Sequence, residues 1–483
     1  MYRFLVTFLV VFSSFLSYGC ERVSGSVEYR MKEIRVNVAS LAMQVGDREQ
    51  LKATAVPSVA HKPVFQWFSS DQSIVTVSNG VVEAKKVGKA VVSVAFQSLR
   101  VDIPVTVAAP YYPGGSVLYH LKPNSVHQVS ELQLNGAGSY TGEGLNLTVR
   151  EKLARLDRFY ALGERMIRYM IRPSGDAVVL FRSSQGDFSA YVDLPDRKIR
   201  IDTSPVTEAT VPFLKGDRDY MVEVYHIYNL AKVRIVDLQT KESAEISATM
   251  DGTGGCGKGA LQEGFSVGMQ WDHYCFGLKE GTSVLLRHLT VFALKNKVKL
   301  LIYGDSITQP EGYFPAKDFP DAWTQRIIAK LGGNAVSSGR GGGTITMVLD
   351  YIKNELPYIE TKYVMVTIGT NGGNTEENLT ELVNYIKEQG AIPILNNIPC
   401  NESGTQIDNN RLMEKVREKT GVKGSKFDLA TSVNGDGKEV DTSLMYWEDY
   451  SGSWGWQIYH HPNEKGGKKM FERTLIDIPE IYE

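Results

Sequence analysis

The stretch Lys299-Leu300-Leu301-Ile302-Tyr303-Gly304-Asp305-Ser306-Ile307-Thr308 decides the fold. It is an apolar run of strand length that ends in a Gly-Asp-Ser turn. A serine just past a buried strand lies at the carboxyl edge of a sheet, where open α/β folds bind ligands. Gly304 permits the tight turn, and the backbone N–H groups of the following helical turn sit beside the hydroxyl, where they can hold an oxyanion.

Outward from this stretch the pattern alternates. Helical periodicity covers 322–331, 344–354, 379–389, 410–419 and 467–475. Strand-like runs lie between them and end near Tyr303, Ser338 and Ile368. Alternating βα units predict a doubly wound parallel sheet over 298–483. On that sheet, Ser306, Gly342 and Asn371 converge on one edge.

Three further blocks follow in order. They are Val336-Ser337-Ser338-Gly339-Arg340-Gly341-Gly342-Gly343-Thr344, then Gly369-Thr370-Asn371 after an apolar strand, then His460-His461-Pro462-Asn463. From about Val298 to the C-terminus the chain resembles the SGNH (GDSL-like) hydrolases, which implies a flavodoxin-like α/β fold. The resemblance implies Ser306 as nucleophile, His461 as base, and Gly342 and Asn371 as oxyanion partners of the Ser306 N–H. Gly341 is the alternative to Gly342, because a glycine run slips by one.

The chemistry is coherent on its own terms. A serine hydroxyl needs a base, and histidine titrates in the right range. Beyond residue 300 the only histidines are His460 and His461. Each oxyanion donor contributes about 3–4 kcal/mol in a well-studied serine hydrolase. Ser306 Oγ is expected within hydrogen-bond reach of His461, or slightly looser in an unliganded chain, with His460 farther away. No metal or organic cofactor is called for.

The chain departs from the family at one place. The usual aspartate three residues before the histidine is replaced by Ile458, and counting from His460 reaches Gln457. Upstream lies Tyr446-Trp447-Glu448-Asp449-Tyr450. Asp449, the better match to the family's Asp-Gly, is expected to orient the imidazole. Glu448 or a backbone carbonyl are the alternatives.

The chain has 483 residues, room for about three domains, and a formal net charge of −2 that argues against an electrostatic grip on nucleic acid. Residues 1–20 have a charged start and an apolar run too short for a comfortable membrane span. They end Leu16-Ser17-Tyr18-Gly19-Cys20, which resembles a bacterial lipoprotein box and implies acylation of Cys20. The expectation is an exported protein that meets the membrane only through this anchor. In an oxidising compartment Cys256 and Cys275 are the natural disulfide pair, and Cys400 reads as a buried thiol.

Residues 31–108 alternate apolar and polar in short runs divided by turn signals, as in a small sandwich. Trp67-Phe68-Ser69-Ser70-Asp71 through Gly80 and Gly88 resembles the bacterial Ig-like group 2 domain, with a core built on Trp67 and β-branched residues. Residues 110–295 stay strand-like and predict a second antiparallel sandwich, loosely similar to jelly-roll or concanavalin-like modules. Such modules bind sugars on exposed aromatics; the candidates are Tyr111, Tyr112, Phe188, Tyr191, Tyr228, Trp271 and Tyr274. The combined expectation is a multidomain serine esterase that removes acyl groups, acetyl above all, from a carbohydrate. A lipase or thioesterase, or a degenerate carbohydrate-binding protein, are the rivals.

Overall fold

A computed structural model describes residues 31–58, 63–183, 189–202, 206–249, 274–309, 311, 314, 317–449 and 457–483. The expectations for residues 1–20, Cys20, Cys256, Phe188 and Trp271 fall outside them.

Nine short strands between Glu33 and Ala108 form the Ig-like module, with Leu41–Gln44 pairing parallel to Leu99–Ala108. Its core is Ile34, Val75, Val82, Val92, Val94, Ile103, Val105 and Val107, with Trp67 only partly buried at the margin. The β-branched residues, with Met31, Met43 and Leu51, fill this core, and Trp67 packs against it from the margin. Strand alternation explains why, since every second residue of Gly88–Phe96 and Leu99–Ala108 faces the partner sheet.

Residues 116–293 form two facing antiparallel sheets. One is built around Val284–Ala293, Glu164–Pro173, Tyr220–Ile227 and Leu230–Asp237; the other around Tyr274–Glu280 and Val178–Ser183. One expectation is corrected here. Tyr228 and Tyr274 are buried, and Tyr112 packs on Tyr225 and Phe292; Tyr111 alone of the described candidates is exposed, at 72%. Cys275 is buried; its expected partner Cys256, and with it the disulfide pairing, lies outside the described residues. Cys275 is the second residue of Tyr274–Glu280, with Arg155 and Arg182 as its cross-strand partners, and burial pushes it up to about 11.

The C-terminal sheet is parallel, in the spatial order Ala335–Gly339, Lys297–Gly304, Glu360–Thr367, Ile392–Leu395. The first strand in sequence lies inside, with its successors on either side, so the topological switch point falls at the carboxyl end of Lys297–Gly304. Helices Trp323–Lys330, Ile345–Glu355, Glu376–Glu388, Gln406–Thr420 and Glu464–Asp477 match the five periodic segments. Thr344 and Thr375 cap two of them by accepting from Met347 N and Asn378 N.

The sandwich and the parallel sheet share one continuous apolar core. Ala335–Gly339 is an edge strand, and the sandwich closes it: Ser337 O accepts from Gly163 N at 2.7 Å, and Ser337 N donates to Tyr228 Oη at 3.1 Å. Behind it, Glu355 Oε1 accepts from Ala161 N (2.5 Å) and Leu162 N (3.2 Å), while Oε2 accepts from Ser338 Oγ (2.9 Å). Burial pushes this carboxyl up to about 7. Those bonds satisfy a group whose unpaired burial would be costly.

Candidate active site

The Lys297–Gly304 strand runs into a 3₁₀ turn, Ser306–Thr308, capped by Asp305, whose Oδ1 accepts from Ile307 N at 3.0 Å. Burial pushes Asp305 up to about 6. Trp323 Nε1 donates to Ile307 O at 2.8 Å and pins the turn from the helix side. Two glycines let the turn fold onto the sheet edge. A Cβ on Gly304 would lie 2.3 Å from Thr367 O, and one on Gly339 would lie 2.4 Å from Thr308 C and 2.5 Å from Gln309 N. These neighbours are backbone and cannot swing aside. Gly339→Ala is therefore expected to lose about 1–3 kcal/mol of stability and about 10²-fold in kcat, since a displacement of about 1 Å has that effect on a positioned group. Urea unfolding and ester turnover check this; an unchanged midpoint with full activity would refute it.

The glycine loop and the asparagine loop meet beside the turn. Gly341 N donates to Gln309 Oε1 at 2.7 Å, so that N–H is committed. Gly342, at φ +71°, makes no hydrogen bond through its N–H among the described residues. Of the two N–H groups, that of Gly341 is the committed one among the described residues. Asn371 Nδ2 donates to Gly343 O at 3.1 Å, tying the two loops together; an amide carries a second N–H for another acceptor.

His461 lies on the strand Gln457–Pro462, which pairs antiparallel with Met445–Asp449 and packs against the Ser306 turn. The register places Glu448 opposite Ile458 and Trp447 opposite Tyr459, then shifts before Met445 meets Pro462. Two residues, His460 and His461, oppose the single Tyr446 in that bulge. In a regular ladder Ile458 and His460 would share the face of Glu448. The extra residue brings His461 to that side instead.

The acid beside His461 is Glu448, which corrects the expectation of Asp449. Glu448 Oε1 accepts from His461 N at 3.0 Å and makes a short contact with His461 Nδ1. Asp449 pairs with Gln457, one step farther from the histidine along the ladder. Ile458, where the SGNH resemblance leads one to expect aspartate, is directly across the ladder from Glu448. Burial alone would raise Glu448, but the charge of His461 and its hydrogen bonds outweigh that and hold the carboxyl below its ordinary value. His460 stacks edge-on against His461, with centroids 4.5 Å apart. Desolvation, aided by His461, pushes it down to about 4.

With Nδ1–H given to a carboxylate, the imidazole presents Nε2 as the basic lone pair. Ser306 is 6% exposed, and among the described residues its hydroxyl makes no hydrogen bond. No hydrogen bond joins it to His461 among the described residues. Sequence reasoning missed Gln309 as the residue that holds the glycine loop; no local signal marks it.

Residues 30–106 match the family model of the bacterial Ig-like domain (group 2). Among solved structures, the chain is similar to a variant of an acetyl xylan esterase from Geobacillus stearothermophilus, at 19% identity and TM-score 0.29, over 38% of this chain and 94% of that one. It is also similar to a GDSL-like lipase from Bacteroides thetaiotaomicron (14% identity, TM-score 0.28, 37% of this chain and 85% of that one). A third is an alpha/beta hydrolase enzyme from the metagenome of Lake Arreo, Spain (20% identity, TM-score 0.29, 37% and 94%). No curated protein matches the chain in sequence.

Proposed function

We propose that this chain is an exported serine esterase that removes an acyl group, most simply acetyl, from a carbohydrate. The observation that carries the esterase reading is the Glu448–His461 pair, set against a serine turn at the switch point of a parallel sheet. Ser306 Oγ attacks the ester carbonyl while His461 Nε2 takes its proton. The tetrahedral oxyanion is held by the N–H groups of Ser306 and Gly342 and by the Asn371 amide. Collapse breaks the bond to the sugar oxygen, which takes the proton from His461 and leaves as the free hydroxyl. Water, deprotonated by the same imidazole, then hydrolyses the acyl-serine to the free acid. The low exposure of Ser306 suits a small acyl group.

The carbohydrate class rests on the company of the two β-modules, and export on the apolar leader ending in Cys20. Acylated Cys20 would tether the enzyme to a membrane surface. Palmitate labelling that persists in Cys20→Ser would overturn the tether. Acetate release from a panel of acetylated glycans, alongside a simple aryl acetate, tests the function. Release from at least one glycan is expected. Turnover of the aryl ester alone would remove the carbohydrate class, and turnover of neither would remove the esterase.

A further inference from the structure

Among the side chains at which the Ig-like module meets the sandwich are Asp47, His120 and His288. Asp47 lies in the turn between Leu41–Gln44 and Arg48–Gln50, and its Oδ2 accepts from Gln44 N at 2.7 Å. His120 and His288 come from two adjacent sandwich strands, Ser116–Leu121 and Val284–Ala293. Their rings stack with centroids 5.4 Å apart.

Both imidazoles aim at one oxygen. His120 Nε2 is 3.0 Å from Asp47 Oδ1, and His288 Nδ1 is 3.7 Å from the same atom. The second distance is too long for a hydrogen bond, and among the described residues the buried His288 Nδ1 has no hydrogen-bond partner. One ligand atom from each of the three residues lies within 4.8 Å of the other two. Two ligands on one tetrahedral zinc ion, each about 2.1 Å from it, are about 3.4 Å apart; the observed pair distances bracket that value.

We propose that Asp47, His120 and His288 bind a divalent transition metal of the zinc class, joining the Ig-like module to the sandwich. The donor set, two imidazoles and one carboxylate, suits zinc and leaves a fourth position for water. The outer shell is already built. His120 Nδ1 lies 2.8 Å from Thr290 Oγ1, and a ring that gives Nδ1–H to that oxygen turns its Nε2 lone pair to the metal. Asp47 is fixed by the Gln44 N–H. The nearby Lys122 ammonium is engaged by Glu49 across the same interface, so one carboxylate there already offsets one cation. His288 is 20% exposed in its side chain, which gives the ion a way in.

The test uses the full chain, stripped with a chelator and titrated with Zn²⁺ by calorimetry and with Co²⁺ by visible absorption. One equivalent is expected to bind, with a tetrahedral cobalt spectrum, and to slow proteolytic cutting of the 109–115 linker. His288→Gln removes a side chain that makes no hydrogen bond among the described residues, so its fold should persist; its affinity is expected to fall about 100-fold or more, beyond the loss seen when outer-shell partners are removed. His461→Ala is expected to bind like the wild type, which separates this site from the esterase centre. Absence of a zinc equivalent in the wild type, wild-type affinity in His288→Gln, or loss of binding in His461→Ala would each overturn the proposal.

Discussion

Ser306→Ala is expected to lower kcat on any ester the chain turns over by about 10⁶-fold, the scale of removing the nucleophile in a serine protease. The alcohol oxygen is the atom that forms the acyl bond, and no neighbour offers a substitute. The change should leave the fold alone. The turn is capped by Asp305 and pinned by Trp323, and the serine hydroxyl contributes no hydrogen bond to it among the described residues. Turnover with purified Ser306→Ala, its unfolding temperature measured in parallel, decides the matter. Activity within tenfold of wild type in a folded variant would end the serine mechanism.

The second large effect belongs to Glu448. Replacing it with glutamine keeps shape but exchanges one acceptor oxygen for an NH₂ group. If that group faces Nδ1, the imidazole must accept there and carry its proton on Nε2, where it cannot act as a base. The equivalent exchange in a serine protease triad lowers kcat about 10⁴-fold, and a loss of that order is expected here. Asp449→Ala should remain near wild type; the reverse ranking would restore Asp449 as the orienting acid.

The sign of the pH dependence follows from the lowered Glu448 carboxyl. A carboxylate with a depressed folded value stabilises the native pair above its ordinary range and loses that contribution as pH falls through the depressed value. The stability advantage of the wild type over Glu448→Gln, read from unfolding midpoints, should therefore be present at neutral pH and shrink only in strongly acidic buffer. An advantage that grows as the pH falls would contradict this.

The contrast between Ser306 and Glu448 shows where local sequence stops being informative. The strand into Ser306 is written in consecutive residues, Leu300 to Gly304, and the helices in their 3.6-residue period, so both were legible. Glu448 and Asp449 are neighbours on a strand, and strand neighbours face opposite ways. Which one meets His461 depends on the ladder register and on a bulge opposite Tyr446. Both are set by tertiary packing, and family matching pointed to the wrong member of the pair. That the Gly341 N–H is committed was illegible for a similar reason, because its partner is Gln309, 32 residues earlier in the chain. Tyr228 and Tyr274 carried the composition of a sugar platform, but burial gave them to the core.

The closure of the Ala335–Gly339 edge by Gly163 and Tyr228 bears on how this gene can be cut and recombined. A recombinant fragment starting near residue 297 would bare a strand edge ready to pair with other molecules and leave Glu355 without its Ala161 and Leu162 donors. Such a fragment should aggregate during expression. The smallest transferable cassette is the sandwich together with the α/β unit, so a lineage that swapped the sandwich for another module would have to rebuild the wall of its own parallel sheet.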